Sequence, residues 1–448
     1  MKQSALGGFN PQAFQKYLKN TGWLLGARVG SLLIKMTITV IALPNYLGAS
    51  QNGLLNYSLV FITFFIAIAA LGMDSYVTRQ LLAHPQKGCL ILGSAFRLRL
   101  ISGILVLPVI YACFWMISSF SSSPPATPFS FILIVSFICV FQSVHILDSY
   151  FQSQAQGKWI MLVQVGGNLC SALIKGLLIW WEAPLVAFAY ALAMDTFILS
   201  LGYLFCYRKA GGNLFEWKYD HQTAMVLLKN SLPLAFSASL VVIYMKIGQL
   251  MLDYYLGNKI QGVYATVVSI SEAWYFVPSA IVMALFPAIM HARTQYRAKF
   301  ELRMLQLYQL MVVISLAAAI ILHFASPWIY GRFFNSEFQS GASALSIQVW
   351  AGIFIFLNLA NGQYLLAEGH TNILFIRSFI GAIVMIGLNM LWIPVYGMIG
   401  AAYATLIAYA SSAFFVLFIP KTRKHGWMML KALTFVPIIQ HFRKHNTQ

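Results

Sequence analysis

Residues 18–57 read LKNTGWLLGARVGSLLIKMTITVIALPNYLGASQNGLLNY, and residues 228–264 read LKNSLPLAFSASLVVIYMKIGQLMLDYYLGNKIQGVY. Leu18-Lys19-Asn20 recurs as Leu228-Lys229-Asn230 at an offset of 210 (228 − 18). Tyr46-Leu47-Gly48 recurs as Tyr255-Leu256-Gly257, and Gly53 as Gly262, both at 209 (262 − 53). Ala189-Tyr190-Ala191 returns late in the chain as Ala402-Tyr403-Ala404. A nearly constant offset close to half of the 448 residues marks an internal duplication, so the two halves are expected to fold alike.

The setting for that duplication is a membrane. Hydrophobic residues make up 60% of the chain and charged residues only 9%, and the mean hydropathy is +0.74, far from the balance of a soluble domain. Apolar runs of about 20 residues, enough to cross a hydrocarbon core of about 30 Å, lie at 21–43, 51–74, 95–118, 129–152, 158–181 and 183–207, then at 224–253, 260–290, 305–326, 341–366, 372–394 and 397–419. The expected architecture is an all-α polytopic membrane protein of about twelve transmembrane helices. It comprises an N-terminal lobe over 1–207, a linker over 208–223, a C-terminal lobe over 224–420 and a basic tail over 421–448. An even number of helices per half makes the lobes parallel repeats about an axis normal to the bilayer, an arrangement that encloses a cavity.

The polar start, MKQSALGGFNPQAFQKYLKN, does not resemble a cleaved signal peptide. Cys89, Cys113, Cys139, Cys170 and Cys206 are scattered through apolar runs, which suits small core residues better than disulfides or metal ligands. Near the end, 427–442 (WMMLKALTFVPIIQHF) is short and interrupted by proline, as an interfacial helix would be.

Lys and Arg outside the helices set the expected orientation. One set of loops carries Lys2, Lys16, Lys19, Arg79, Lys87, Lys158, Arg208, Lys209, Lys218, Arg293, Arg297, Lys299, Arg303, Lys421, Arg423 and Lys424, and the opposite set only Lys259 and Arg332. Both termini and the linker are therefore expected in the cytoplasm. The net charge of +18 is largely this asymmetry, and no nucleic-acid partner is implied.

A charge inside the bilayer costs about 2.5–3.5 kcal/mol on insertion scales, so it marks a partner or a watered cavity. The cations here are Arg28, Lys35, Arg97, Arg99, Lys175, Lys246 and Arg377, against Asp74, Asp148, Asp195, Asp253 and Glu272. Arg28 and Lys35 stand two helical turns apart on one face, and Lys246 and Asp253 repeat that spacing in the second half. Arg28, Lys35, Lys246, Lys175 and Arg99 are the candidates for binding an anionic headgroup, and Glu272, Asp253 and Asp195 for ion coupling. For Lys175 and Asp195 a buried ion pair is the competing reading, and Arg97, Arg99, Asp74 and Asp148 suit pairs that fasten loops. Pro108, Pro233, Pro278 and Pro287 are expected to interrupt helices. The chain has no phosphate loop, nucleophile elbow or zinc spacing, so neither an enzyme nor a cofactor is expected.

YLGASQNGLLNY (46–57), LGMDSYVTRQL (71–81), SEAWYFVPSAIVMALFPAI (271–289) and LNMLWIPVYGMIGAAYATLIAY (388–409) resemble the Wzx-type polysaccharide flippases of the MOP superfamily. The resemblance covers nearly the whole chain. It implies alternating access by two six-helix lobes, and a cargo of O-antigen, capsule or exopolysaccharide repeat units on undecaprenyl pyrophosphate. The cargo would move from the cytoplasmic to the periplasmic leaflet of a bacterial inner membrane, with a polysaccharide polymerase and a chain-length regulator as partners. A cationic interior agrees with a pyrophosphate, whereas drug efflux by the related MATE transporters favours buried acids. A lipid II flippase of the same superfamily, which typically has fourteen helices, a MATE-type antiporter of that superfamily, and a membrane glycosyltransferase or polymerase, which needs acidic residues in a long outer loop, remain the alternatives.

Overall fold

The computed structural model describes residues 22–23, 26, 29–120 and 125–434, with backbone alone at 283–284, 287–288, 291–295 and 371. Nine helical stretches among them are long and apolar enough to cross a membrane. They are α1 (Val29–Ala83), α2 (Pro85–Phe120), α3 (Phe129–Ser153), α4 (Gly157–Trp180), α5 (Leu185–Lys209), α6 (His221–Val282), α7 (Arg297–Phe333), α8 (Gly341–Ala367) and α9 (Asn372–Leu417). A short helix, α10 (Arg423–Leu433), follows. The protein is thus an all-helical, multi-pass membrane protein.

Nine stretches accommodate twelve crossings because three of them hold two each. At 55, 62 and 46 residues, α1, α6 and α9 are too long for one passage. Each breaks at a glycine with positive φ: Gly48 (φ 74, ψ 169), Gly257 (φ 80, ψ 173) and Gly397 (φ 60, ψ −139). A side chain disfavours that conformation, so glycine is what lets the chain turn there. Gly48 and Gly257 are equivalent positions of the duplication and have nearly the same backbone angles, so the repeat seen in sequence is also a repeat of conformation. Proline does not do this work: Pro108 and Pro233 sit inside helices that continue past them. Just before Pro44, residues Met36–Ala42 form a π-helical segment, where the wider turn relieves the clash of a proline ring with the preceding carbonyl.

The chain divides into two compact units. One comprises 1–39, 61–119 and 128–238, and the other 40–60, 120–127 and 239–448. In the first, Met73, Val77, Leu81, Ile91, Leu92, Ile146, Phe151 and Tyr203 form a core of residues from α1, α2, α3 and α5. In the second, one core gathers Met304, Tyr308, Met311, Phe356, Leu357 and Met429, and another Tyr244, Ile355, Met385 and Tyr409. The second unit also contains the crossing of 40–60 with its own repeat. Asn52 donates to the Gly262 carbonyl at 2.8 Å, and Asn258 donates to the Ser50 hydroxyl at 2.8 Å.

Between α5 and α6, Leu214–Glu216 form one 3-10 turn. Asp220 then caps α6, accepting from the Thr223 amide at 2.8 Å and the Thr223 hydroxyl at 2.6 Å. Those two bonds hold its carboxyl below the usual range. The helix expected at 427–442 begins earlier, at Arg423, because Lys424, His425, Met428, Met429 and Ala432 extend the amphipathic pattern; residues 435–448 lie outside those described.

Candidate functional site

In the first unit, α4 brings Lys175 against Asp195 of α5, with Nζ and Oδ2 2.6 Å apart. Ser171, one turn before Lys175 on the same face, donates to the other oxygen, Oδ1, at 2.5 Å. The lysine side chain is 3% exposed and the aspartate 30%. An ammonium this deep is tolerable only with a partner that meets it directly. The lysine is therefore held behind, while the carboxylate keeps an open side.

Arg99 is also buried, and its Nη2 donates to Asp74 Oδ1 at 2.7 Å. Ser149 of α3 donates to the Asp74 backbone carbonyl at 3.1 Å, so this pair ties three helical stretches together. Lys35 lies on the exposed side of α1, immediately before the π-helical segment. Arg28 falls outside the described residues.

In the second unit, Lys246 meets Glu272 at 2.7 Å, and both side chains remain about a quarter exposed (22% and 24%). The two residues are 26 apart, on opposite sides of the Gly257 break within α6. The break is therefore what brings them together. Beside them Tyr244 packs edge-on to Tyr409, ring centroids 5.3 Å apart, and Tyr275 packs on the same cluster. Asp253, seven residues after Lys246, makes no ion pair among the described residues; it is buried, and its Oδ1 has no hydrogen-bond partner. Arg377 of α9 is buried too, with Nη2 donating to the Asn358 carbonyl at 3.2 Å and Nη1 unpartnered.

Of the residues singled out from sequence, the fold thus joins Lys175 to Asp195 and Lys246 to Glu272, and gives Arg99 to Asp74. Asp253 does not face Lys246 as a partner, although the seven-residue spacing puts both on one helical face. Ser171 was not among the candidates, yet its position four residues before Lys175 is a legible signal. Of the tyrosines around Lys246 and Glu272, Tyr244 and Tyr275 belong to α6 itself, while Tyr409 comes from α9 and no spacing announces it.

The family model described as "Polysaccharide biosynthesis protein" matches residues 17–293. The capsular polysaccharide biosynthesis protein CapF of Staphylococcus aureus is 20% identical over 401 residues, covering 87% of this chain and 96% of CapF. An uncharacterised membrane protein of Methanocaldococcus jannaschii is 25% identical over 203 residues, which are 44% of this chain and 39% of that protein. The same fold occurs in an inward-facing MATE family multidrug resistance transporter of the MOP superfamily, with a TM-score of 0.69 and 15% identity, covering 91% of this chain and 99% of that one. It occurs also in the lipid II flippase MurJ in an inward closed conformation, with a TM-score of 0.65 and 14% identity over 95% of this chain and 93% of that one. Since the matched region exceeds half of its length, the chain belongs to the polysaccharide biosynthesis protein family of membrane proteins, with the fold of the MOP superfamily.

Proposed function

We propose that this protein is a flippase that carries an undecaprenyl-pyrophosphate-linked oligosaccharide from the cytoplasmic to the periplasmic leaflet of a bacterial inner membrane. Both termini would lie in the cytoplasm, and lobes 1–207 and 224–420 would alternate access to the cargo. The observation that carries this reading is the pairing of the deep acids: Asp195 is held by Lys175 and Glu272 by Lys246. With those carboxylates neutralised, Arg377, which has no ion pair among the described residues, adds positive charge that suits an anionic cargo.

The two lysine pairs suit different roles. Lys175 is enclosed and positions Asp195, whereas Lys246 and Glu272 are each about a quarter exposed. A pyrophosphate arriving at Lys246 would compete with Glu272 for the ammonium, and protonation of Glu272 would release Lys246 to the cargo. Exchange of one ion pair for another keeps the ammonium partnered throughout, which avoids the cost of a bare charge in the membrane. A proton on Glu272 and a phosphate on Lys246 are thereby coupled.

Asp253, a buried acid without an ion pair among the described residues, favours one second reading, a cation-coupled antiporter of small molecules. Genetic replacement separates the two. In a strain whose surface polysaccharide requires this chain, its removal should abolish surface glycan and leave lipid-linked oligosaccharide in the cytoplasmic leaflet. Unchanged surface glycan with increased sensitivity to cationic drugs would favour the antiporter instead.

A further inference from the structure

Within the second unit, α10 packs across the ends of α7 and α8 and encloses a cavity of about 210 Å³. Arg297, Lys421 and Lys424 line it together with Glu301, Glu368 and His425. Glu301 is already engaged, 2.5 Å from Lys424 Nζ and 3.7 Å from Arg297 Nε. Three cations, Arg297, Lys421 and Lys424, face two carboxylates, Glu301 and Glu368, so the lining keeps a surplus of positive charge. His425 is only 5% exposed, its ring is stacked on Tyr364 with centroids 3.6 Å apart, and its Nδ1 has no hydrogen-bond partner. Behind it stands Tyr308, 6.5 Å from the imidazole between centroids. Arg377 interacts electrostatically with Tyr308, and no carboxylate lies within ion-pair distance of it among the described residues.

We propose that this cavity seats the phosphate of a phospholipid headgroup and so fixes α10 to the membrane surface. Arg297 and Lys421 are on its rim, where a guanidinium and an ammonium can donate to separate phosphate oxygens. A lipid source follows from the flanking aromatics. Phe418, at the end of the membrane-length α9, is 80% exposed, and Trp427 on α10 is 51% exposed. Exposed aromatic rings beside an amphipathic helix sit at the depth of the headgroups. His425, Met428, Met429 and Ala432 turn the other face of α10 into the lobe. The cavity thus opens at the level where phosphodiesters are concentrated, and it lies apart from Lys246 and Glu272.

Native mass spectrometry of the purified full-length chain tests this, using phosphatidylglycerol, diacylglycerol as its phosphate-free counterpart, and soluble glycerol phosphate. Wild-type protein should retain one phosphatidylglycerol and no diacylglycerol. The Arg297→Ala, Lys421→Ala double variant removes two exposed side chains without opening the core, and should retain about tenfold less at the same lipid concentration. Melting curves of the lipid-free proteins check that both fold. Equal retention by wild type and variant, equal retention of diacylglycerol, or no retained lipid at all would overturn the proposal. Displacement of the lipid by glycerol phosphate at matched concentration would overturn the lipid source and leave a soluble phosphate as ligand.

Discussion

Gly53 and Gly262 occupy equivalent positions in the two repeats, and each lies against the backbone of the other repeat's helix. A Cβ on Gly53 would come 1.9 Å from the Asn258 carbonyl oxygen, and a Cβ on Gly262 would come 1.9 Å from the Ala49 carbonyl oxygen. Ala49 and Asn258 are themselves equivalent, 209 residues apart (258 − 49), so the crossing is locally two-fold. Small residues that let backbones approach are how membrane helices associate, since lipid gives apolar side chains no reason to prefer one another. Either Gly53→Ala or Gly262→Ala forces the helices apart, and neither carbonyl can yield as a side chain would. Each is expected to destabilise by about 3 kcal/mol or more, seen as reduced membrane abundance and a lower melting temperature of the purified protein. A variant that melts with the wild type would show that the crossing is looser than this contact requires.

Lys246 and Glu272 form a pair that remains reachable, so its removal should be less damaging than loss of a sealed pair. Lys246→Met leaves the carboxylate unpartnered and is expected to cost about 1–2 kcal/mol, below the 3–5 kcal/mol of a fully buried pair. Glu272→Gln should cost less, because the amide can still accept from the ammonium. Thermal melts of the two variants check the order; the reverse order would place the strain on the lysine side.

The duplication, the twelve crossings and the membrane setting were legible because they rest on composition and on repetition along the chain. The breaks at Gly48 and Gly257 could also be found, since they fall within the repeated Tyr-Leu-Gly. Ion-pair partners were harder to read. Helical spacing names no partner for Lys246; the partner is Glu272, because the break at Gly257 folds distant turns together and local periodicity cannot register that. His425 carries no signal of its own in a basic segment; its burial depends on Tyr364, distant in sequence, stacking on it.

His425 makes stability depend on pH. Burial, with Lys424 and Arg297 adding and Glu301 opposing, lowers its pKa from 6.5 to about 4. The unfolded chain then binds the proton more readily than the folded one, so stability is full above pH 6.5 and falls as the pH drops toward 4. The loss attributable to this group approaches about 3 kcal/mol at the acid end. Melting temperatures of wild type and His425→Gln across pH 4–8 should converge in the acid range and separate above it. Parallel curves would show that the imidazole is not the titrating group.

The lopsided distribution of Lys and Arg predicts an inside location for both chain ends. Alkaline phosphatase fused after Gln448 should be inactive, and the same enzyme inserted between α2 and α3 should be active. Activity at both positions would break the even count of crossings.

The flippase reading itself is met most directly in proteoliposomes. Purified protein is reconstituted with a fluorescent undecaprenyl-pyrophosphate-linked oligosaccharide, and the fraction open to an added glycosidase is followed with time. Wild-type vesicles should expose the inner-leaflet pool, and Lys246→Ala vesicles of equal protein content should do so at least about tenfold more slowly. An inner-leaflet pool that stays as protected with wild-type protein as in protein-free vesicles would contradict transport of this cargo.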